Sequence, residues 1–191
     1  METIDVTLIS LDEFMELYSD EGPFELIDGE RISVSPQVTR SGRIAGRLFR
    51  FMANHSDENE LGEVFSEVPF VITPQLNWVK GSRVPDIMFI RAERLAVLAE
   101  SDPEWEEKPL TIVPDLVVEV VSPTDRLTKV NRKISRYLKD GVLVIWLVDA
   151  DSKTVTIYKQ GQTNLERLTV DDMLSGGEII PGFEVAVSKL F

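Results

Sequence analysis

The sequence predicts an α/β or α+β domain spanning residues 1–191. Two observations lead there. Short β-type runs at 24–35, 64–72, 84–90, 115–121 and 143–159 are interspersed with segments of helical period at 11–18, 41–54 and 125–139. No repeat, low-complexity tract or linker divides the chain, and 191 residues with 43% hydrophobic content support one sizeable core.

Each element has a local cause. Ser10 and Glu13 have capping-box spacing, which predicts a helix over 11–18 with Leu11, Phe14, Met15 and Tyr18 as its apolar stripe. Runs 24–28 and 31–35 are separated by Gly29 and Glu30, with Asp28-Gly29 as the turn signal of a hairpin. Ile44, Leu48 and Phe51 set a helical period over 41–54. The run 64–72 carries Pro69, so its strand is expected to bend or to lie at an edge. After the strand at 84–90, residues 91–114 form a mixed connection, helical to Glu100 and then a Pro- and Trp-containing loop. The clearest helix covers 125–139, started at the Ser122-Pro123 boundary and ended by Gly141, with stripe Leu127, Val130, Ile134, Tyr137 and Leu138. Runs 143–149 and 154–159 form a second hairpin around Asp151-Ser152, and Gly176-Gly177 and Pro181-Gly182 turn the closing segment.

Composition excludes several chemistries. Without cysteine there is no disulfide scaffold, zinc ribbon, Fe–S cluster or thiol nucleophile, and one histidine, His55, cannot build a His-rich metal site. The longest apolar run, 142–148, is too short for a membrane span, and the N-terminus lacks an export-signal pattern, so the expected location is cytoplasmic. A net charge of −13 speaks against nucleic-acid binding at first sight. The charge is unevenly spread, however. Residues 37–54 hold Arg40, Arg43, Arg47 and Arg50 and no acid, and at about 100° per residue these arginines share one helix face. The helix at 125–139 adds six more basic residues. Single surface arginines usually just solvate a helix, but this cluster, lacking acidic neighbours, reads equally well as a phosphate-contact surface.

Two acids interrupt apolar strands: Asp86 in 84–90 and Glu119 in 116–121. Desolvating a carboxylate costs several kcal/mol unless it is paired or metal-bound. Alone, each reads as a strand-end cap or an ion-pair partner; together they make an oxygen-rich site suited to Mg²⁺ or Mn²⁺. Lys133 lies at the border of its helix's apolar stripe, where it either snorkels to water or reaches a carboxylate pair.

These residues sit in a recognisable pattern. Glu25-Leu26-Ile27-Asp28-Gly29-Glu30, Ser35-Pro36, Val84-Pro85-Asp86 and the run from Pro114 through Glu119 to Pro123 resemble the restriction-endonuclease-like family known as Uma-two, as do Lys133 with Tyr137-Leu138, Gly141-Val142 and Trp146-Leu147-Val148-Asp149. That family belongs to the PD-(D/E)xK nuclease superfamily. The resemblance implies a restriction-endonuclease-like mixed β-sheet core flanked by helices, with an added N-terminal hairpin. It implies Asp86, Glu119 and the Val120 carbonyl as metal ligands and Glu30 as a candidate additional acid. The superfamily's usual lysine would fall at Val121, and the resemblance moves its role to Lys133. One departure is Ser41, where many relatives carry a histidine.

The expected function is therefore a divalent-metal-dependent DNA endonuclease with catalytic residues Asp86, Glu119 and Lys133, phosphate contacts from Arg40, Arg43, Arg47 and Arg50, and Mg²⁺ or Mn²⁺ as cofactor. The rival readings are a catalytically weak or inactive dimeric DNA-binding or interaction protein on the same fold, and a phosphodiesterase for a small substrate. The apolar, β-rich run around Trp146 and the hairpin at 154–159 suggest a homodimer.

Overall fold

The computed structural model describes residues 8–73, 75–121 and 125–191; the Ser122-Pro123 helix boundary lies outside the described residues. The elements are β1 (Ile9–Ser10), α1 (Leu11–Glu21), β2 (Phe24–Ile27), β3 (Glu30–Ser33), α2 (Thr39–Glu58), β4 (Gly62–Ser66), β5 (Phe70–Ile72), β6 (Trp78–Val79), β7 (Gly81–Arg83), β8 (Ile87–Arg91), α3 (Ala92–Ser101), β9 (Leu116–Val121), α4 (Leu127–Asp140), β10 (Val144–Asp149), β11 (Thr154–Lys159), β12 (Glu166–Leu168), β13 (Met173–Ser175) and β14 (Glu184–Ala186). Among the described residues no helix is long and apolar enough to cross a membrane.

The chain divides into two compact units, the first comprising the described residues of Met1–Pro36, Val68–Val84 and Leu98–Val113. Here Ser10 caps α1, its hydroxyl accepting the Glu13 N–H at 3.1 Å. The β2–β3 hairpin turns through Asp28 and Gly29 with φ of 52° and 85°, the pair of positive values a two-residue I′ turn needs. Leu11, Phe14, Phe24, Leu26, Val71 and Val79 form its core.

The second unit comprises Gln37–Glu67, Pro85–Val97 and Pro114–Phe191. Its sheet runs β12-β11-β10-β9-β8-β4, with β9 and β10 parallel and every other pair antiparallel. Strand alternation sorts the side chains of β9 onto two faces. Leu116, Val118 and Val120 pack with Ile44, Ala45, Leu48 and Met52 of α2, whereas Glu119 meets α4 on the other face. Parallel strands need a crossover, and α4 is the crossover from β9 to β10. The mixed sheet flanked by helices is the architecture expected.

Some details differ from expectation. The run at 64–72 is two strands: β4 pairs with β8, and β5 pairs with β7. Pro69 has no N–H for a ladder, and Glu67, at φ 55°, turns the chain before it. Leu127 is 72% exposed and Phe51 is 37% exposed, so neither completes its stripe. Met52 and Ala45 take the place of Phe51 in the core. The closing segment is a β13–β14 hairpin that buries Leu174, Ile180, Phe183 and Val185, with Phe183 stacked 5.9 Å from Trp146. Trp146, one of the residues that suggested an apolar surplus, is consumed by this core.

Asp115 is fully buried at the head of β9 and held by charge. It accepts from Arg91 Nε at 3.0 Å and Nη2 at 2.9 Å, from Arg94 Nη1 at 3.0 Å, and from the Arg91 N–H at 3.1 Å. Removing one partner of a buried ion pair strands the other charge, so Asp115→Ala should cost about 3–5 kcal/mol in a chemical-denaturation experiment. A loss under about 1 kcal/mol would mean that water already screens this cluster.

Candidate active site

Glu119 is the one charged residue in β9, and it is 7% exposed. Burial there is sustained by two donors from α4. Lys133 Nζ lies 2.8 Å from both Oε1 and Oε2, and the Tyr137 hydroxyl donates to Oε1 at 2.5 Å. Lys133 and Tyr137 are four residues apart, so one turn of α4 presents both to the same carboxylate. Tyr137 is fully buried, while the Lys133 side chain keeps 29% exposure, matching its position at the stripe's border. Gly141, in the left-handed region at φ 108°, ends the helix and lets the chain return into β10.

Asp86 stands just before β8, whereas the sequence placed it inside the strand. Pro85 accounts for the difference, since it cannot donate to the ladder. The register pairs Ile87 with Val118, so one further step sets Asp86 opposite Glu119 and two steps set Pro85 opposite Val120. In that position the Asp86 carboxylate serves as the ladder's acceptor: Oδ2 takes the Val120 N–H at 2.6 Å. Gln37, ahead of α2, donates its amide Nε2 to Oδ1 at 2.6 Å. The Val120 carbonyl points the same way as its N–H, toward Pro85, which has no N–H to offer it.

The electrostatics follow from burial. Desolvation pushes the Glu119 carboxyl up to about 7, with the Asp86 charge adding to it and Lys133 and Tyr137 opposing it. Desolvation likewise raises Asp86 above the ordinary carboxylate range, against the Val120 N–H, the Lys133 charge and Gln37; the charge of Asp125 adds to the rise. The three residues therefore share one electrostatic neighbourhood. A carboxylate has about four acceptor positions. Asp86 has one donor on each oxygen, and Glu119 has two on Oε1 and one on Oε2. Both acids retain oxygen capacity for a further ligand.

The remaining candidates are more dispersed. Glu30 opens β3 in the first unit and is exposed. Among the described residues no group of three or more His, Cys, Asp or Glu side chains is arranged to hold a metal ion. Arg40 lies 3.7 Å from Asp151 in an exposed pair. Arg47 donates to the main-chain oxygens of Phe191 at 2.7 Å and Leu190 at 3.4 Å, which ties it to the closing segment. Arg43 and Arg50 are exposed and make no ion pair among the described residues. Ser41 is 3% exposed, its hydroxyl without a hydrogen-bond partner among the described residues, and His55 meets the Pro181 carbonyl at 2.9 Å. Sequence reasoning placed Tyr137 in an apolar stripe and in the family's pattern but gave it no role at the site, and it missed Gln37. A tyrosine four residues after Lys133 was a usable signal; Gln37 gave none, because its partner lies 49 residues away.

The comparisons with known proteins agree with this architecture. A crystal structure described as that of "a putative nuclease belonging to DUF820", from Anabaena variabilis, is similar to this chain at a TM-score of 0.76 and 25% identity, covering 96% of this chain and 97% of that one. No curated protein matches the chain significantly. The model of the Uma2 family, described as "Putative restriction endonuclease", matches residues 11–188, and the chain belongs to that family.

Proposed function

We propose that this protein is a divalent-metal-dependent DNA endonuclease hydrolysing phosphodiester bonds, with Asp86, Glu119 and Lys133 as its catalytic residues. The observation that carries the reading is the meeting of two desolvated carboxylates with one lysine at the end of the β8–β9 ladder. Desolvating two neighbouring acids, one buried and one half-buried, is costly, and a hard cation is the natural complement of an oxygen-only donor set. Asp86, Glu119 and the Val120 carbonyl would hold Mg²⁺ or Mn²⁺. When bound there, the ion supplies Lewis acidity toward a phosphate oxygen and a lowered pKa for a coordinated water.

The chain's own groups divide the remaining tasks. Lys133 keeps its cation at the site's edge, partly exposed, where it can meet the charge that develops on the phosphorus oxygens. Tyr137 holds the Glu119 carboxylate by a hydrogen bond, and Gln37 holds that of Asp86. Arg43 and Arg50, exposed on α2, are the arginines best placed to contact backbone phosphates.

Three outcomes test this reading. Without a divalent cation, Glu119 holds its proton more tightly folded, at about 7, than its ordinary 4.5. That preference stabilises the fold below the ordinary value and is lost as pH rises through about 7, and Asp86 shifts in the same direction. The melting temperature of the metal-free protein should therefore decline across this window, while the rise produced by Mg²⁺ or Mn²⁺ should grow; a metal effect independent of pH would count against the site.

In cleavage assays, Asp86→Ala and Glu119→Ala should each abolish both the metal-dependent rise in melting temperature and strand scission. Lys133→Ala should keep the thermal response and lower the rate by about 10²-fold or more. If Glu119→Ala cuts as fast as the parent, the assignment is wrong.

Replacing Arg43 and Arg50 together by alanine should reduce the salt dependence of duplex binding by about two phosphate contacts. An unchanged slope would return both to ordinary solvated surface.

A further inference from the structure

Asp86 borders a second feature that the hydrolytic chemistry leaves unused. Beside it, α2 and the β4 end of the sheet enclose a hollow of about 260 Å³. Its helical wall is stripped of bulk: Gly42, Ala45 and Gly46 face it, with the ring of Phe49 a turn further on. A side chain built at Gly46 would meet nothing within 4 Å, so this glycine leaves real space open, although the helix would be more stable with almost any other residue there.

The other wall carries acceptors. Ser66 and Glu67 line it, and Asp86 closes one end. Gln37 also lines it; its Nε2 is committed to Asp86, and its Oε1 lies 3.2 Å from where a Gly42 Cβ would stand. Among the described residues no lysine or arginine lines the hollow, and two carboxylates do, so a phosphate would be repelled from its interior. What complements these walls is a flat, neutral ring carrying N–H donors. Arg43 and Arg50, without an ion pair among the described residues, flank Gly46 on the same helix, about 40–60° around its surface, where the phosphates of such a ligand's chain can be met.

We propose that this hollow is a base pocket, which receives the unstacked, amino-bearing nucleobase next to the phosphate under attack. The inference rests on the nuclease reading for the position of that phosphate. Phe49 and the small-residue wall take the ring face, and the carboxylate and amide oxygens take the exocyclic amine, the pairing by which acidic side chains read cytosine. A base can reach such a pocket only out of the helical stack, so the preferred substrate is single-stranded or locally opened DNA.

The test compares base removal with pocket filling. The full chain, in EDTA so that cleavage does not intervene, is titrated by fluorescence anisotropy with labelled oligo(dC), oligo(dT) and an abasic deoxyribose-phosphate chain of equal length. The parent should bind oligo(dC) about tenfold or more tighter than the abasic chain, with oligo(dT) between them. Gly46→Leu should bring oligo(dC) down to the abasic level and leave abasic binding unchanged, so the two losses are non-additive. Gly46→Ala, adding one methyl, should retain most of the difference, and both variants should melt at or above the parent temperature. The inference is overturned if Gly46→Leu binds oligo(dC) like the parent, or if it weakens abasic binding equally. Should the coupling appear while the parent cuts nothing, the pocket stands and the nuclease reading fails. Should cutting require Asp86 and Glu119 yet be unaffected in Gly46→Leu, the pocket alone fails.

Discussion

Burying the Glu119 carboxylate is the constraint on which the site depends. A charge in the middle of an apolar strand is tolerable only if donors reach it from the layer above. Those donors, Lys133 and Tyr137, come from the helix that must exist anyway to connect two parallel strands. The connection between β9 and β10 and the stabilisation of the acid are thus one structural solution. The price of this arrangement is a carboxyl that gives up its proton reluctantly.

The second carboxylate arises from the opposite kind of local event, an interruption. Pro85, two residues before β8 begins, stops the β8–β9 ladder, and Asp86 bonds the Val120 N–H with its side chain where a main-chain carbonyl would otherwise have been. Because the sheet ends there, Asp86 is reachable from α2, and Gln37 takes the other oxygen. The buried Asp115 offers a contrast. It too follows a proline, yet Arg91 and Arg94 neutralise it completely, and it organises the head of β9 rather than any open site.

Charge is arranged locally against the average. The protein carries −13 overall, but α2 presents Arg43 and Arg50 without acidic partners among the described residues, while Arg40 and Arg47 on the same helix are engaged with Asp151 and with the closing main chain. Next to the free pair lies a hollow with an acidic rim. On the base-pocket proposal, this cationic strip would take the phosphate and the acceptor-lined recess the base, a division that a uniformly basic surface could not make.

The sequence by itself determined the alternation of strands and helices, the Asp28-Gly29 hairpin, the Ser10 cap and the Gly141 stop, because each depends on residues a few positions apart. It also marked Asp86, Glu119 and Lys133, since a lone charge in an apolar run or at a stripe's border is visible in one dimension. Only the tertiary structure decided that Lys133 and Tyr137 both grip Glu119, that Gln37 holds Asp86, that the run at 64–72 breaks into two strands, and that Arg47 is tied to the C-terminal segment. Those are pairings across 14 to 144 positions, set by sheet register and helix packing. Local propensity carries no information about which distant donor will reach a given acceptor, so these partners become legible only once the chain has folded.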